Sequence, residues 1–497
     1  MPAVYRIMHG LVLVFAVLFV ASPVMANSQV PQIFLVQNSG WMLPFYDDPG
    51  SKLAEVVTEL STRVRQYGGN QQILASFNQS WGENRSPKLH YQGDNQAKFN
   101  EAVRSIEPAR KPGRATYADT DFKEAIVGAI TNYSPGRSCL IWIVTNNRNS
   151  PDNNQETAER NRDFYRFLQE SEEIRRIVAF PYPMKVQSSS RPSLHANGLM
   201  IYALAYGGPA EQLLQQMLAV NAPFGKQAAR LKPLNAEALT FIPKGVKGSD
   251  SIKATMPDRK TLLLSFEAAS KPEFAEIHGQ FRNDFYPYDI RSARVGMASA
   301  FRGGKEGISS QLSTDSIADI SAGGLSPEIV VKIGVPPTPS PWSPEVVFGS
   351  GYHASGVIQF ELSNQQLVIS RDFVNAMAEL FPNDPLPDLF VPGESANNSV
   401  TVQPLVIEVL YPTWPTLVLG FFLLAAMASV ITGITVMRRE KIYKVSVDGI
   451  QKPYGLRPFA EVVIKNSLGE RVGVLKRGLG KPVPVLDNGK SCAVRLL

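Results

Sequence analysis

Residues Thr416 to Met437 are 22 consecutive positions without a charged side chain. At ~1.5 Å of rise per residue a helix of that length reaches about 33 Å, enough to cross a hydrocarbon core of ~30 Å. This stretch constrains the chain more than any other, because it puts the residues before it and the residues after it on opposite sides of a membrane. Tyr411 and Trp414 stand at its start as interfacial aromatics, and Arg438-Arg439-Glu440-Lys441 come directly after its end. Basic residues flanking a span mark the cytoplasmic side. The expected topology is therefore single-pass, with the N-terminal bulk outside and the C-terminal tail inside.

A second membrane-directed segment occupies residues 1–26. Arg6 precedes an apolar run from Leu11 to Ala21, and Pro23-Val24-Met25-Ala26 closes it. A charged start, a short apolar core and a small-residue cleavage site make a secretory signal peptide. The alternative is an uncleaved anchor helix, for which the apolar core is short.

The charge is divided unequally across the span. Residues 438–497 hold 13 Lys/Arg against 5 Asp/Glu, a net of +8, while the whole chain is +6, so everything before the tail sums to −2. The basic balance thus belongs to a small tail and gives no reason to expect nucleic-acid binding by the main body. A basic tail beside a span is drawn to anionic inner-leaflet lipid, although positive-inside sorting alone accounts for much of the bias. The two cysteines, Cys139 and Cys492, fall on opposite sides of the span and cannot pair within one chain. An exported body without disulfides suits a bacterial periplasm better than an animal cell surface. The expected location is a bacterial inner membrane.

From residue 30 to 232, strands and amphipathic helices alternate. Strands are expected at 32–36, 72–78, 139–145, 174–181 and 198–206, with a short edge strand over 88–92. The continuous apolar run Leu140-Ile141-Trp142-Ile143-Val144 suits a strand buried on both faces of a parallel sheet. Leu53, Val56, Val57, Leu60 and Val64 keep helical spacing, as do Phe122, Ala125, Ile126, Ala129 and Ile130. Two more helices are expected over 155–171 and 210–220. Alternation of this kind predicts a doubly wound α/β sheet.

Residues 235–410 change character. Short alternating runs at 261–266, 328–333, 357–362 and 401–409 are separated by Gly, Pro and Ser, the pattern of one or two β-sandwich modules. Val335-Pro336-Pro337-Thr338-Pro339-Ser340-Pro341 is a stiff connection or edge, since proline donates nothing to a sheet ladder. A short helix is expected over 373–381, and a Pro-rich piece over 382–392. The tail, 438–497, carries strand-like runs at 442–447, 459–464, 470–475 and 491–496. Asp448-Gly449 and Asn488-Gly489 are hairpin dipeptides, so a small all-β domain is expected there.

Three strings in the α/β region stand where an open sheet binds ligands, at the carboxyl ends of its strands. Gln37-Asn38-Ser39-Gly40-Trp41 comes after the first strand, Asp119-Thr120-Asp121-Phe122-Lys123-Glu124-Ala125-Ile126 opens a helix, and Ile143-Val144-Thr145-Asn146-Asn147 ends a strand. In order and placement they resemble the three metal-site loops of the von Willebrand factor A family. That family writes Asp-x-Ser-x-Ser, Gly-x-Thr-(Asp/Asn)-x-x-x-Ala-Leu and Leu-Thr-Asp-Gly. The resemblance covers residues 30–232 and implies Ser39 and Thr120 as metal ligands. Gln37 and Asn146 stand where the family places carboxylates, and Trp41 replaces a serine. Mg²⁺ and similar hard cations need oxygen ligands, and carboxylates offset much of their dehydration cost. The departures therefore imply a degenerate site, with no cofactor expected and Mg²⁺ or another divalent cation as the alternative. Asp47, Asp48, Asp119, Asp121 and Asp152 are near in sequence and would be needed to rebuild it, but such residues more often serve as loop acids or helix caps. A plainer account makes Asn38-Ser39-Gly40 a turn and Thr120 a helix cap.

With the metal chemistry reduced, the same loop face is expected to bind a protein partner through Trp41, Met42, Phe45 and Tyr46, since exposed aromatics and Met are good interface anchors. These side chains serve equally well as core. Enzyme signatures are missing: the five histidines are scattered, Ser193-Leu194-His195 is a lone Ser/His pair, and neither a nucleophile elbow nor a phosphate-binding loop occurs. The expected role is a non-enzymatic scaffold or receptor subunit of a cell-envelope assembly. The alternatives are metal-dependent adhesion and a periplasmic hydrolase with an unrecognised site in 235–410.

Overall fold

The computed structural model describes residues 30–68, 71–148, 164, 166–246, 251–258, 260–301, 309–349, 351–382, 390–487 and 493–497. The signal peptide, Asp152, most of the expected helix 155–171, most of the 382–392 stretch, Asn488-Gly489 and Cys492 lie outside the described residues. The chain forms two compact units. The first runs to Phe266 and includes Pro272–Pro336 and His353–Glu408; the second comprises Glu267–Lys271, Pro337–Tyr352 and Val409–Leu497.

The first unit begins with a seven-stranded sheet. Its strands are β1 (Gln32–Gln37), β2 (Gln72–Phe77), β3 (Lys88–Gly93), β4 (Cys139–Thr145), β5 (Ile174–Gln187), β6 (His195–Tyr206) and β7 (Ala229–Lys232), in the order β3-β2-β1-β4-β6-β5-β7. β1 pairs in parallel with both β2 and β4. Side chains alternate across the pleat, so Phe34, Val36, Leu140, Trp142 and Val144 all belong to one core. Three helices complete that core: α2 (Leu53–Arg65), α3 (Gln96–Arg104) and α5 (Gly208–Ala219), through Val57, Leu60, Phe99, Val103, Leu214 and Met217. On the opposite face α4 (Phe122–Tyr133) sets Phe122 against Phe77, with ring centroids 5.5 Å apart. A one-turn helix, α1 (Leu43–Asp47), lies just past the end of β1.

The sheet is mixed, which corrects the expectation that it runs parallel. β4–β6, β6–β5, β5–β7 and β2–β3 are all antiparallel. The reason lies in 174–206, which folds as one long hairpin, β5–β6, rather than as two strands joined by a helical crossover. The apolar run of β4 is the same whether its neighbour runs parallel or not, because both faces are covered in either case.

Residues 239–410 form two antiparallel sheets. The strands are β8 (Leu239–Val246), β9 (Ile252–Thr255), β10 (Leu262–Glu267), β11 (Phe274–Asn283), β12 (Tyr288–Phe301), β13 (Ser310–Leu312), β14 (Ser316–Ile320), β15 (Ile329–Gly334), β16 (Tyr352–Ile369) and β17 (Ser399–Leu410). The orders are β14-β12-β16-β17-β10-β9 and β13-β15-β11-β8. Phe241 and Phe281 of the smaller sheet meet Phe360 of the larger, at 6.3 and 4.9 Å between centroids. Gln403 joins the sheets by accepting from Phe241 N and donating to Phe241 O. The expected short helix is Arg371–Leu380, capped by Ser370. It rests on the α/β layer, where Asn197 Nδ2 donates to Glu379 O at 2.8 Å.

The second unit holds the helix Trp414–Arg438. It is the one helix among the described residues long and apolar enough to cross a membrane, and none of its apolar window is buried. The tail beyond it forms two three-stranded sheets, β19-β18-β23 and β20-β21-β22. Their strands are β18 (Lys441–Val447), β19 (Ile450–Leu456), β20 (Glu461–Lys465), β21 (Arg471–Lys476), β22 (Val483–Leu486) and β23 (Val494–Leu496). Val445, Val447, Leu456, Ile464, Val472 and Leu475 make its core. Asp448 and Gly449 turn the β18–β19 hairpin with φ of 49° and 86°, as a two-residue loop of that twist requires.

Candidate functional site

β1 lies between β2 and β4, and the chain leaves it toward both sides of the sheet. The carboxyl ends of these parallel strands therefore frame a switch-point crevice. Gln37 ends β1 and Thr145 ends β4, and both are fully buried. The Gln37 amide is the centre of the site. Its Nε2 donates to Ser39 Oγ at 2.8 Å, to Thr120 Oγ1 at 2.7 Å and to Arg148 O at 3.1 Å. Its Oε1 accepts from the Thr145 hydroxyl. The three loops that resemble a metal site do converge, and the two hydroxyls expected as ligands lie within hydrogen-bonding distance of a single atom. That atom is an amide nitrogen of the chain itself.

The rest of the crevice is tied in the same way. Asn146 Nδ2 donates to Trp41 O at 2.7 Å, and its Oδ1 accepts from Arg148 N at 3.2 Å. Asn147 has a left-handed φ of 66° and its Oδ1 accepts from Tyr202 OH. Asn38 Nδ2 donates to Glu107 O, and Asn78 Nδ2 to Asn38 Oδ1. Gly40 N donates to Ala118 O at 3.0 Å, and a Cβ at Gly40 would come within 2.7 Å of Tyr117 Cβ. The loop closes against Tyr117 because residue 40 carries no side chain. Thr120 is not a helix cap: Asp121 caps α4 by accepting from Glu124 N at 2.9 Å.

The nearby carboxylates are occupied elsewhere. Asp47 accepts from the Ser188 and Ser190 hydroxyls and from the backbone N–H of Ser189 and Ser190. Burial works against its ionisation, but the Ser190 and Ser188 hydrogen bonds outweigh that and hold the carboxyl below its ordinary range. Asp48 accepts from Gly50 N and Gln187 N, and Asp119 pairs with Lys111 at 2.6 Å. Among the described residues no three His, Cys, Asp or Glu side chains gather as a metal would need.

The expected aromatic partner face is corrected in part. Met42 and Phe45 are buried in the core of the α/β layer. Met42 caps the start of α1 and Phe45 lies within it three residues on, and that spacing points both inward. Tyr46 packs against the same core; its hydroxyl donates to Gln37 O at 2.8 Å, and burial pushes its phenol well above the ordinary value. Trp41 remains partly exposed. The Arg148 guanidinium lies 4.8 Å from the centre of its ring, and the indole Nε1 is shielded from solvent without a hydrogen-bond partner.

A cavity of about 270 Å³ opens beside Trp41. Its walls are Trp41, Pro44, Asn146 and Arg148 from the loop face, residues 193–198 at the start of β6, and Leu380, Phe381 and Pro382 at the end of the docked helix. Sequence reasoning missed Arg148 and this helix as parts of the site. Arg148 lies just beyond the third loop string, and its basic charge was the available signal. The helix was expected as an element, but which surface it covers depends on a contact between residues 182 apart in the chain.

No protein-family model matches this chain, and neither a curated protein nor a solved structure does.

Proposed function

We propose that this chain is a membrane-anchored, non-enzymatic interaction protein of a bacterial envelope. In this account the α/β layer is a von Willebrand A-like domain whose metal site has been converted into a closed hydrogen-bond network. The observation that carries it is the Gln37 amide, whose Nε2 bonds to both Ser39 Oγ and Thr120 Oγ1. An amide N–H₂ offers donors to hydroxyl oxygens, as a cation offers positive charge, and does so without the dehydration cost of a metal. The partner is bound at the cavity beside the network, with Trp41 and Arg148 as anchors. Trp and Arg are the side chains that most often dominate binding energy at protein interfaces. The helix Trp414–Arg438 tethers the assembly, the first unit lies on the outer side, and the basic tail faces anionic lipid or a partner on the inner side.

The test uses the full chain in its native membrane. In vivo crosslinking and then affinity purification identifies the species held by the wild-type protein. Trp41→Ala is expected to lower recovery of that species by about tenfold or more, since a central anchor contributes ~2 kcal/mol. The melting temperature should hardly move, because the Trp41 carbonyl that accepts from Asn146 is retained. Unchanged recovery would remove the loop face from the account. A large drop in melting temperature would assign the ring to packing instead.

A further inference from the structure

The second unit carries a group of large apolar side chains that its own core leaves uncovered. Trp342 is 50% exposed, Phe348 79% and Trp414 51%. Trp342 and Trp414 meet edge to face at 5.2 Å between centroids. Tyr411 OH donates to Pro339 O at 2.8 Å, which ties the 339–348 segment to the entry of the apolar helix. Between them, Val346 and Val347 of the one-turn helix Pro344–Val347 are buried and fix the turn in place. Glu345 is the one charged residue from 335 to 351, and 409–416 has none.

We propose that residues 339–348 form an interfacial membrane anchor beside the spanning helix, with Trp342 and Phe348 seated in the lipid headgroup layer. Trp414 is the first residue of the helix read as crossing the membrane, so it sits at the level where that helix meets water. A ring in edge contact with Trp414 shares that level. Trp342 and Phe348 flank the four-residue helix Pro344–Val347, whose rise of about 6 Å is comparable to the depth of one headgroup layer. Amphipathic aromatic rings concentrate at that depth because one end is apolar and the other wet. A protein partner covering the same face would need no such match with the helix entry. The anchor holds the chain to the bilayer at two points, and so restricts rotation and tilt of the tether beyond what one helix does. The proposal rests on the helix crossing the membrane.

The test is tryptophan quenching in the full-length protein, reconstituted into phosphatidylcholine vesicles with brominated acyl chains. Trp41, Trp81 and Trp142 are common to every variant and give a constant background. Trp342→Phe is expected to remove about half of the quenching that is lost when Trp342→Phe and Trp414→Phe are combined. Phe348→Trp is expected to add a quenched component. If Trp414 is quenched but Trp342→Phe changes nothing and Phe348→Trp adds only unquenched emission, the anchor is wrong and the helix stands. If Trp414 itself is not quenched, the spanning helix fails and the anchor with it.

Discussion

Replacing Gln37 by Leu is expected to destabilise the α/β layer by about 3–5 kcal/mol, one of the largest effects of any single change in the chain. Leucine nearly matches the volume and keeps the strand apolar, so the loss is one of polar partners. The Ser39 and Thr120 hydroxyls lose a shared donor, the Thr145 hydroxyl loses its acceptor, and Arg148 O loses its Nε2 contact. Each buried polar group left unpaired costs ~1–3 kcal/mol, and rotating hydroxyls recover part of it. For a domain of this size the shift is about 10 °C in melting temperature, read by near-UV circular dichroism. A shift of a degree or less would mean that the network tolerates an apolar centre, and that the amide does not organise the loops.

Arg176→Met is expected to cost about 2–4 kcal/mol at neutral pH. Arg176 is 3% exposed and lies 3.0 Å from Glu237 and 3.5 Å from Glu211 of α5. Gln215 Nε2 also donates to Glu237, and Arg230 adds a third contact. The cluster ties the β7–β8 connection to the helix that covers the sheet. Removing one partner of a buried pair leaves the other without compensation, but Glu237 keeps 39% of its side-chain surface in water, so the lower part of the usual range applies. The pH dependence comes from Glu237. Burial opposes its ionisation, Arg176 and then Arg230 more than offset that, and its carboxyl lies below the ordinary value. A carboxyl depressed by folding adds stability above its unfolded pKa and loses it as pH falls through the folded one. The gap in melting temperature between wild type and Arg176→Met should therefore be full at pH 7 and narrow from about pH 6 to about pH 3. A gap that stays constant or widens on acidification would assign the loss to packing.

Much of the fold was legible because its signals are local. β1 and β4 have continuous apolar centres, β2 is mostly apolar, α2 and α4 show a single apolar stripe, and the uncharged stretch gives the helix Trp414–Arg438. What escaped depends on pairing at a distance. The partner of β4 is set by the 174–206 hairpin, whose β5 strand contains Pro181 and Pro183 and gives no clear period. β19 was hidden because Pro453 and Gly455 lie within it; it is tolerated as the outer strand of its small sheet.

The candidate site divides along the same line. That Ser39, Thr120 and Gln37 meet is a consequence of loop order on an open sheet. That the Gln37 side chain turns back onto the two hydroxyls depends on rotamers no string of letters encodes. Met42 and Phe45 had a helical spacing that pointed inward, and their aromatic and sulfur chemistry suited an interface equally well. Only burial separates those two roles.

The most direct test of the network is a thermal melt of the full chain in detergent, first in EDTA and then in millimolar Mg²⁺, Mn²⁺ or Ca²⁺. A ligand at ~100 times its dissociation constant stabilises a folded state by ~2.7 kcal/mol, a shift of several degrees. With the Gln37 amide already bonded to Ser39 and Thr120, the curves should superimpose in every ion. A stabilisation of several degrees that disappears in Thr120→Ala would contradict the account and place a cation where the amide now stands.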